Sequence, residues 1–205
     1  MLTSKRKKSS IVIMAELAIL TAIVIVFQLL GVGIKLPFLS TPISLVLVPI
    51  ALGAIVIGPA AGAWLGFVMG AIVFITCCLM GMDPMFTGVL FANNPVMTAI
   101  ICLFKSTFAG LAGGLVYKAL KKVNPWIAIF SAAAVVPVVN TGLFILGCLS
   151  IYDTIAVNFA TSSSVLYFLI IGCAGFNFIF EFLLNALLAP ALGRVVQVVN
   201  KQVRR

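Results

Sequence analysis

Residues 11–30 read IVIMAELAILTAIVIVFQLL, with Glu16 as the single charged side chain in the run. About 20 apolar residues at 1.5 Å each cross the ~30 Å hydrocarbon core of a bilayer. The run follows Lys5, Arg6, Lys7 and Lys8, as the apolar part of a secretory signal would. It is longer than such a part, however, and no convincing small-x-small cleavage site follows it. The stretch is therefore read as a retained first transmembrane helix.

Working outward, five more apolar runs occupy 42–57, 60–80, 96–120, 126–149 and 163–192. The second is short and interrupted by Pro49; the third follows a Gly58-Pro59 turn; the fifth carries Pro137. In lipid the backbone must satisfy its own hydrogen bonds, and no alternation of a β-barrel kind is present, so the runs are expected to be helices. The expected fold is an all-α membrane protein, six transmembrane helices in one compact bundle over 11–192. Basic tails at 1–10 and 193–205 flank it.

Composition agrees. Of the 205 residues, 63% are hydrophobic and 8% charged, where a soluble domain carries about 25% charged. The net charge of +9 is gathered at the ends of apolar runs, not spread over a soluble basic face, which argues against a nucleic-acid partner. With six spans, both termini and the connections after spans two and four share one side. That side holds eleven of the thirteen Lys and Arg residues. The positive-inside rule makes it cytoplasmic, with both termini inside a bacterial cell (inner) membrane. The other side holds the longer connections, 31–41, 81–95 and 150–162, which are candidates for lids.

Several chemistries are excluded. There is no histidine, hence no imidazole acid–base or metal site. Cys77, Cys78, Cys102, Cys148 and Cys173 lie in apolar runs without CxxC spacing and read as small buried side chains. Neither a GxxxxGK[ST] phosphate loop nor a GxSxG nucleophile motif occurs, so neither ATP hydrolysis nor serine hydrolysis is expected of this chain, and no cofactor is implied.

Polar residues inside the spans carry the functional signal, because lipid makes them expensive. Lys105 lies roughly 14 Å below the outer end of span four, and Asn140 reaches a similar level in span five. A cation and an amide at one depth suit a small organic anion with hydroxyl or amide groups; pairing of Lys105 with an internal acid is the alternative. Asn177, Glu181 and Asn185 recur every fourth residue in span six and share a face. Glu181 is read as a ligand contact, a counter-ion for Lys105 or a helix–helix anchor, and Asn185 as structural. Glu16 is read as an interfacial ion-pair partner. Asn94, in Asn93-Asn94-Pro95, is read as a cap or lid contact that also has reach to a ligand. Small residues form two stripes. One is Ala15, Ala18 and Ala22; the other is Gly58, Gly62, Gly66 and Gly70. Such stripes let helices approach closely, either within the bundle or against a partner.

With these residues in view, the whole chain resembles the substrate-binding S component of energy-coupling factor (ECF) vitamin transporters. The resemblance rests on AILTA at 18–22, IALGAIVIGP at 50–59 followed by Gly62 and Gly66, GGLVYKALKK at 113–122, VNT at 139–141, and Glu181 ahead of LLAP at 187–190. Among S components it looks most like the pantothenate type, with Lys105 where an arginine is expected; lysine keeps the charge but loses the bidentate fork. The resemblance implies capture of a vitamin from outside by Lys105, Asn140, Thr141, Asn177, Glu181 and Asn94. It implies docking through Ala15, Ala18, Ala22, Gly62 and Gly66 onto a transmembrane coupling subunit that works with two ATPase subunits. Toppling of the loaded subunit then releases the cargo inward. Folate or a queuosine precursor is the alternative cargo. An intramembrane enzyme or a channel is the alternative class, for which Lys105 and Glu181 are the only deep ionisable groups.

Overall fold

A computed structural model describes residues 10–32, 45–161 and 163–204. In chain order it contains α1 (Ser10–Val32), α2 (Leu47–Val56) and α3 (Pro59–Val73), which continues as a π-helical segment over Phe74–Leu79. Next come α4 (Thr87–Asn93), α5 (Pro95–Leu120), α6 (Pro125–Leu149), α7 (Tyr152–Asn158) and α8 (Val165–Tyr167). A second π-helical segment, Phe168–Gly175, leads into α9 (Phe176–Arg204). There is no strand among the described residues.

Five helical stretches are long and apolar enough to cross a membrane: Ser10–Leu30, Pro59–Leu79, Pro95–Leu120, Pro125–Leu149 and Val165–Val198. The expected second span, 42–57, is represented among the described residues by α2. Its ten residues reach about 15 Å, half the hydrocarbon thickness; residues 42–44 of that expectation lie outside the described residues. Within the expected tail at 193–205, α9 runs on to Arg204 as continuous helix.

Helix starts follow simple chemistry. Pro59, Pro95 and Pro125 each stand in the first turn of their helices, where the missing N–H has no intrahelical partner to lose. Asn124 caps α6, its Oδ1 accepting from the backbone N–H of Trp126 at 2.9 Å and Ile127 at 3.3 Å. Gly58 turns α2 into α3 at φ 142°, a backbone region essentially closed to side-chain-bearing residues.

The glycine stripe explains the centre of the bundle. A Cβ on Gly62 would collide with the Gly110 carbonyl, one on Gly66 with the Ser106 carbonyl, and one on Gly70 with the Cys102 carbonyl. Gly110 and Gly114 return the fit against Gly62 and Pro59. The backbones of α3 and α5 therefore lie in direct contact, gaining dispersion that larger residues would prevent. Around this pair one core gathers Leu47, Ile50, Leu65, Ala109, Ala132, Val136 and Leu192. A second joins Phe86, Leu90 and Ile155 of the connections at 81–95 and 150–162 to Ile101, Cys148 and Leu169 of the long helical stretches.

Those two connections, expected to be loops, contain α4 and α7. Asp83, only 6% exposed, starts α4 by accepting at Oδ2 from the Thr87 N–H (3.1 Å) and hydroxyl (2.8 Å). Asn94 then ties α4 and α5 to α7 by donating from Nδ2 to the Thr154 hydroxyl.

A cavity beside Lys105

Between the two cores lies a cavity of about 1010 Å³, its open mouth included. Every membrane-crossing stretch contributes to its wall: Gln28 from α1, Met69 from α3, Lys105 from α5, Asn140 from α6 and Asn177 from α9. Both π-helical segments border it, through Cys77 and Cys173. A π turn adds a residue to the helical circuit and reorients the side chains that follow, and such turns concentrate at functional sites.

Lys105 is half-buried, about 15 Å along α5 from Pro95. Its ammonium stands 5.1 Å from the centroid of the Phe144 ring, a cation–π contact that holds a charge without neutralising it. One helix away, Asn140 is 5% exposed and accepts at Oδ1 from the Ser106 hydroxyl at 3.0 Å. That bond fixes the amide and leaves its N–H groups as the available donors. Thr141, next along α6, also lines the cavity. A cation, an oriented amide and a hydroxyl thus share one cavity wall.

The face of α9 divides as follows. Asn177 and Glu181 line the cavity, whereas Asn185 does not. Asn185 is 1% exposed and donates from Nδ2 to the Glu181 carbonyl at 2.9 Å. Five of the six residues expected to meet a ligand therefore share one cavity: Lys105, Asn140, Thr141, Asn177 and Glu181. The sixth, Asn94, is absent from the wall because its amide is engaged by Thr154 in the covering layer.

Of the residues expected to dock a partner, Ala15, Ala18 and Ala22 are exposed along α1. Gly62 and Gly66 are buried against α5. The glycine stripe therefore takes the first of its two readings, close packing inside the bundle, and presents no face to a partner in this arrangement.

The wall also contains Gln28, Asp83, Thr87 and Thr98, which hydropathy and charge did not single out. Gln28 had a legible signal: it is the one amide in the otherwise apolar stretch 23–30. The other three sit at or near helix starts, where polar residues are ordinary.

Residues 13–193 match a family model, ECF transporter, substrate-specific component. The chain belongs to this family. It is a multi-pass membrane protein and the substrate-specific subunit of a transporter, working with an ECF energising module on a small-molecule substrate. No curated protein is detectably similar to the chain in sequence.

Proposed function

We propose that this S component captures a carboxylate-bearing vitamin, with pantothenate the first candidate, at the outer face of a bacterial cell membrane. The observation that carries the proposal is Lys105: a half-buried ammonium at the cavity wall, held over Phe144. Its positive charge favours an anionic cargo. Asn140 and Thr141 on the neighbouring helix supply donors and an acceptor for an amide and hydroxyls, and Asn177 and Glu181 face the cargo from α9. The layer built from α4 and α7, tied by Asn94 and Thr154, covers the site from the side read as extracellular. The six-span count and cytoplasmic termini belong to the same proposal and rest on the distribution of Lys and Arg.

Delivery then proceeds on a transmembrane coupling subunit with two ATPase subunits. The exposed Ala15, Ala18 and Ala22 face of α1 is the docking surface that remains once Gly62 and Gly66 are assigned to the α3–α5 contact. Toppling of the loaded subunit exposes the cavity to the cytoplasm.

The test is a thermal-shift titration of the purified subunit. A ligand at 100 times its dissociation constant adds about 2.7 kcal/mol to stability. Pantothenate is expected to raise the melting midpoint of the wild-type protein and to leave that of Lys105→Met unmoved, with the variant still folded. Equal affinity in both proteins would remove Lys105 as the anchor. A shift with folate or a queuosine precursor, and none with pantothenate, would reassign the cargo.

A further inference from the structure

Lys105 accounts for one pole of the cavity; the wall at α1 and α9 poses a different demand. Gln28 is 6% exposed, lines the cavity, and its Oε1 is buried without a hydrogen-bond partner. Asn177 lines the same cavity, and its Oδ1 is likewise buried and unpartnered. A buried amide oxygen without a donor is destabilising, and native proteins keep few of them. Both oxygens belong to side chains that line the cavity. The chemistry they lack is the same: an O–H or N–H donor.

We propose that Gln28 and Asn177 form a donor-reading subsite, which selects, among small organic anions, those carrying hydroxyl or N–H groups on the part of the molecule remote from the carboxylate. This rests on the reading of Lys105 as the carboxylate anchor and extends it. Lys105 sets the charge of the cargo, and the two acceptors reject apolar acids of the same size. A hydrocarbon acid would neutralise the ammonium but leave both oxygens unpaired, whereas a hydroxylated acid satisfies all three. Sites built to bond a substrate hydroxyl discriminate strongly against analogues that lack it, for this reason.

The experiment compares wild type, Gln28→Met, Asn177→Leu and Lys105→Met, with pantothenate and its O-methylated form (both hydroxyls capped) as probes. Affinities come from calorimetry, and each ligand-free protein is melted in parallel. Wild type is expected to bind the capped probe at least tenfold more weakly than pantothenate, and Gln28→Met and Asn177→Leu each to lose part of that discrimination. Ligand-free Gln28→Met is expected to melt higher than wild type, because the substitution removes an unsatisfied group of similar volume; a residue needed only for packing would give the opposite shift. If binding is lost in Lys105→Met but Gln28→Met keeps wild-type affinity and discrimination, the subsite is wrong and the anchor stands. If pantothenate binds none of the proteins, the cargo assignment fails. The ligand-free melts then decide the subsite: a lower midpoint for both Gln28→Met and Asn177→Leu overturns it, and a higher one upholds it.

Discussion

Replacing Gly66 with alanine is the smallest change that tests how the bundle is held together. A Cβ at this position would be placed on the Ser106 carbonyl oxygen, with the Thr107 backbone nitrogen 2.9 Å away. All the nearest atoms are backbone, so none can swing aside as a side-chain terminus would. Restoring an ordinary carbon–oxygen contact of about 3.3 Å requires α3 and α5 to part by about 1 Å. Overpacking of this kind costs about 1–3 kcal/mol, and the rigidity of the obstacle places Gly66 in the upper part of that range. Alanine returns up to about 1 kcal/mol through its better helix propensity. The balance is a loss of about 1–2 kcal/mol. At about 2–4 °C per kcal/mol for a chain near 200 residues, the melting midpoint should fall by about 2–8 °C.

The control is Gly142→Ala in α6, where an added Cβ has no neighbouring atom within 4 Å. The same propensity gain then acts without the clash, and the midpoint should hold or rise. Both variants are melted as isolated subunits in one detergent, followed by tryptophan fluorescence. Gly66→Ala melting at or above wild type would refute direct backbone contact between α3 and α5. It would also return the glycine stripe to the partner-docking reading.

Two further expectations follow from the same geometry. Asn124→Ala removes the acceptor for the Trp126 and Ile127 N–H groups and should cost about 1 kcal/mol; an unchanged midpoint would show that solvent caps α6 equally well. Ala18→Leu enlarges an exposed position, so the isolated subunit should melt as wild type while co-purification with the energising module falls; intact assembly would move the docking surface off α1.

The spans at 60–80, 96–120 and 126–149 were legible because each apolar run begins beside a proline that sets the helix start. The site was partly legible for a related reason. Helical rise converts sequence distance into depth, which put Lys105 and Asn140 at one level before any contact between their helices was known. What the pattern hides is whatever hydropathy does not encode. Phe74–Leu79 and Phe168–Gly175 are apolar runs like the α3 and α9 helices they adjoin, and hydropathy does not distinguish a π turn from an α turn. α4 and α7 lie in stretches whose Gly, Pro, Asn, Ser and Thr content suggests loops, and the bonds from the Thr87 N–H and hydroxyl to Asp83 at the start of α4 are contacts that hydropathy does not register. The spacing of Gly62, Gly66 and Gly70 announces close approach but not the identity of the neighbour; only the Gly110, Ser106 and Cys102 carbonyls supply that. Gln28 repeats with no other polar residue, since Val24, Ile25, Gly31 and Val32 stand three and four positions away, yet a buried amide calls for a partner as a charge does.

These features divide the cavity wall into two kinds. Lys105 and Asn140 stand on α5 and α6. The first of these is locked to α3 through glycine–carbonyl contacts, and the two pack together where Gly113 meets Val136 and Gly147 meets Ile101. Close backbone packing of this kind makes a firm support, which suits a charge that must wait for its counter-ion. Gln28 stands on α1, of whose span only 11% is buried, against 39% for α3 and α5. An element with so little packing has less to lose by shifting. It also bears the exposed alanine face assigned to docking. A cargo that bonds Gln28 therefore acts on the same helix that meets the partner. If α1 couples the two events, Gln28→Met should uncouple them, with assembly onto the energising module no longer responding to ligand. Assembly that still responds fully to ligand in that variant would show that the site and the docking face communicate by another route.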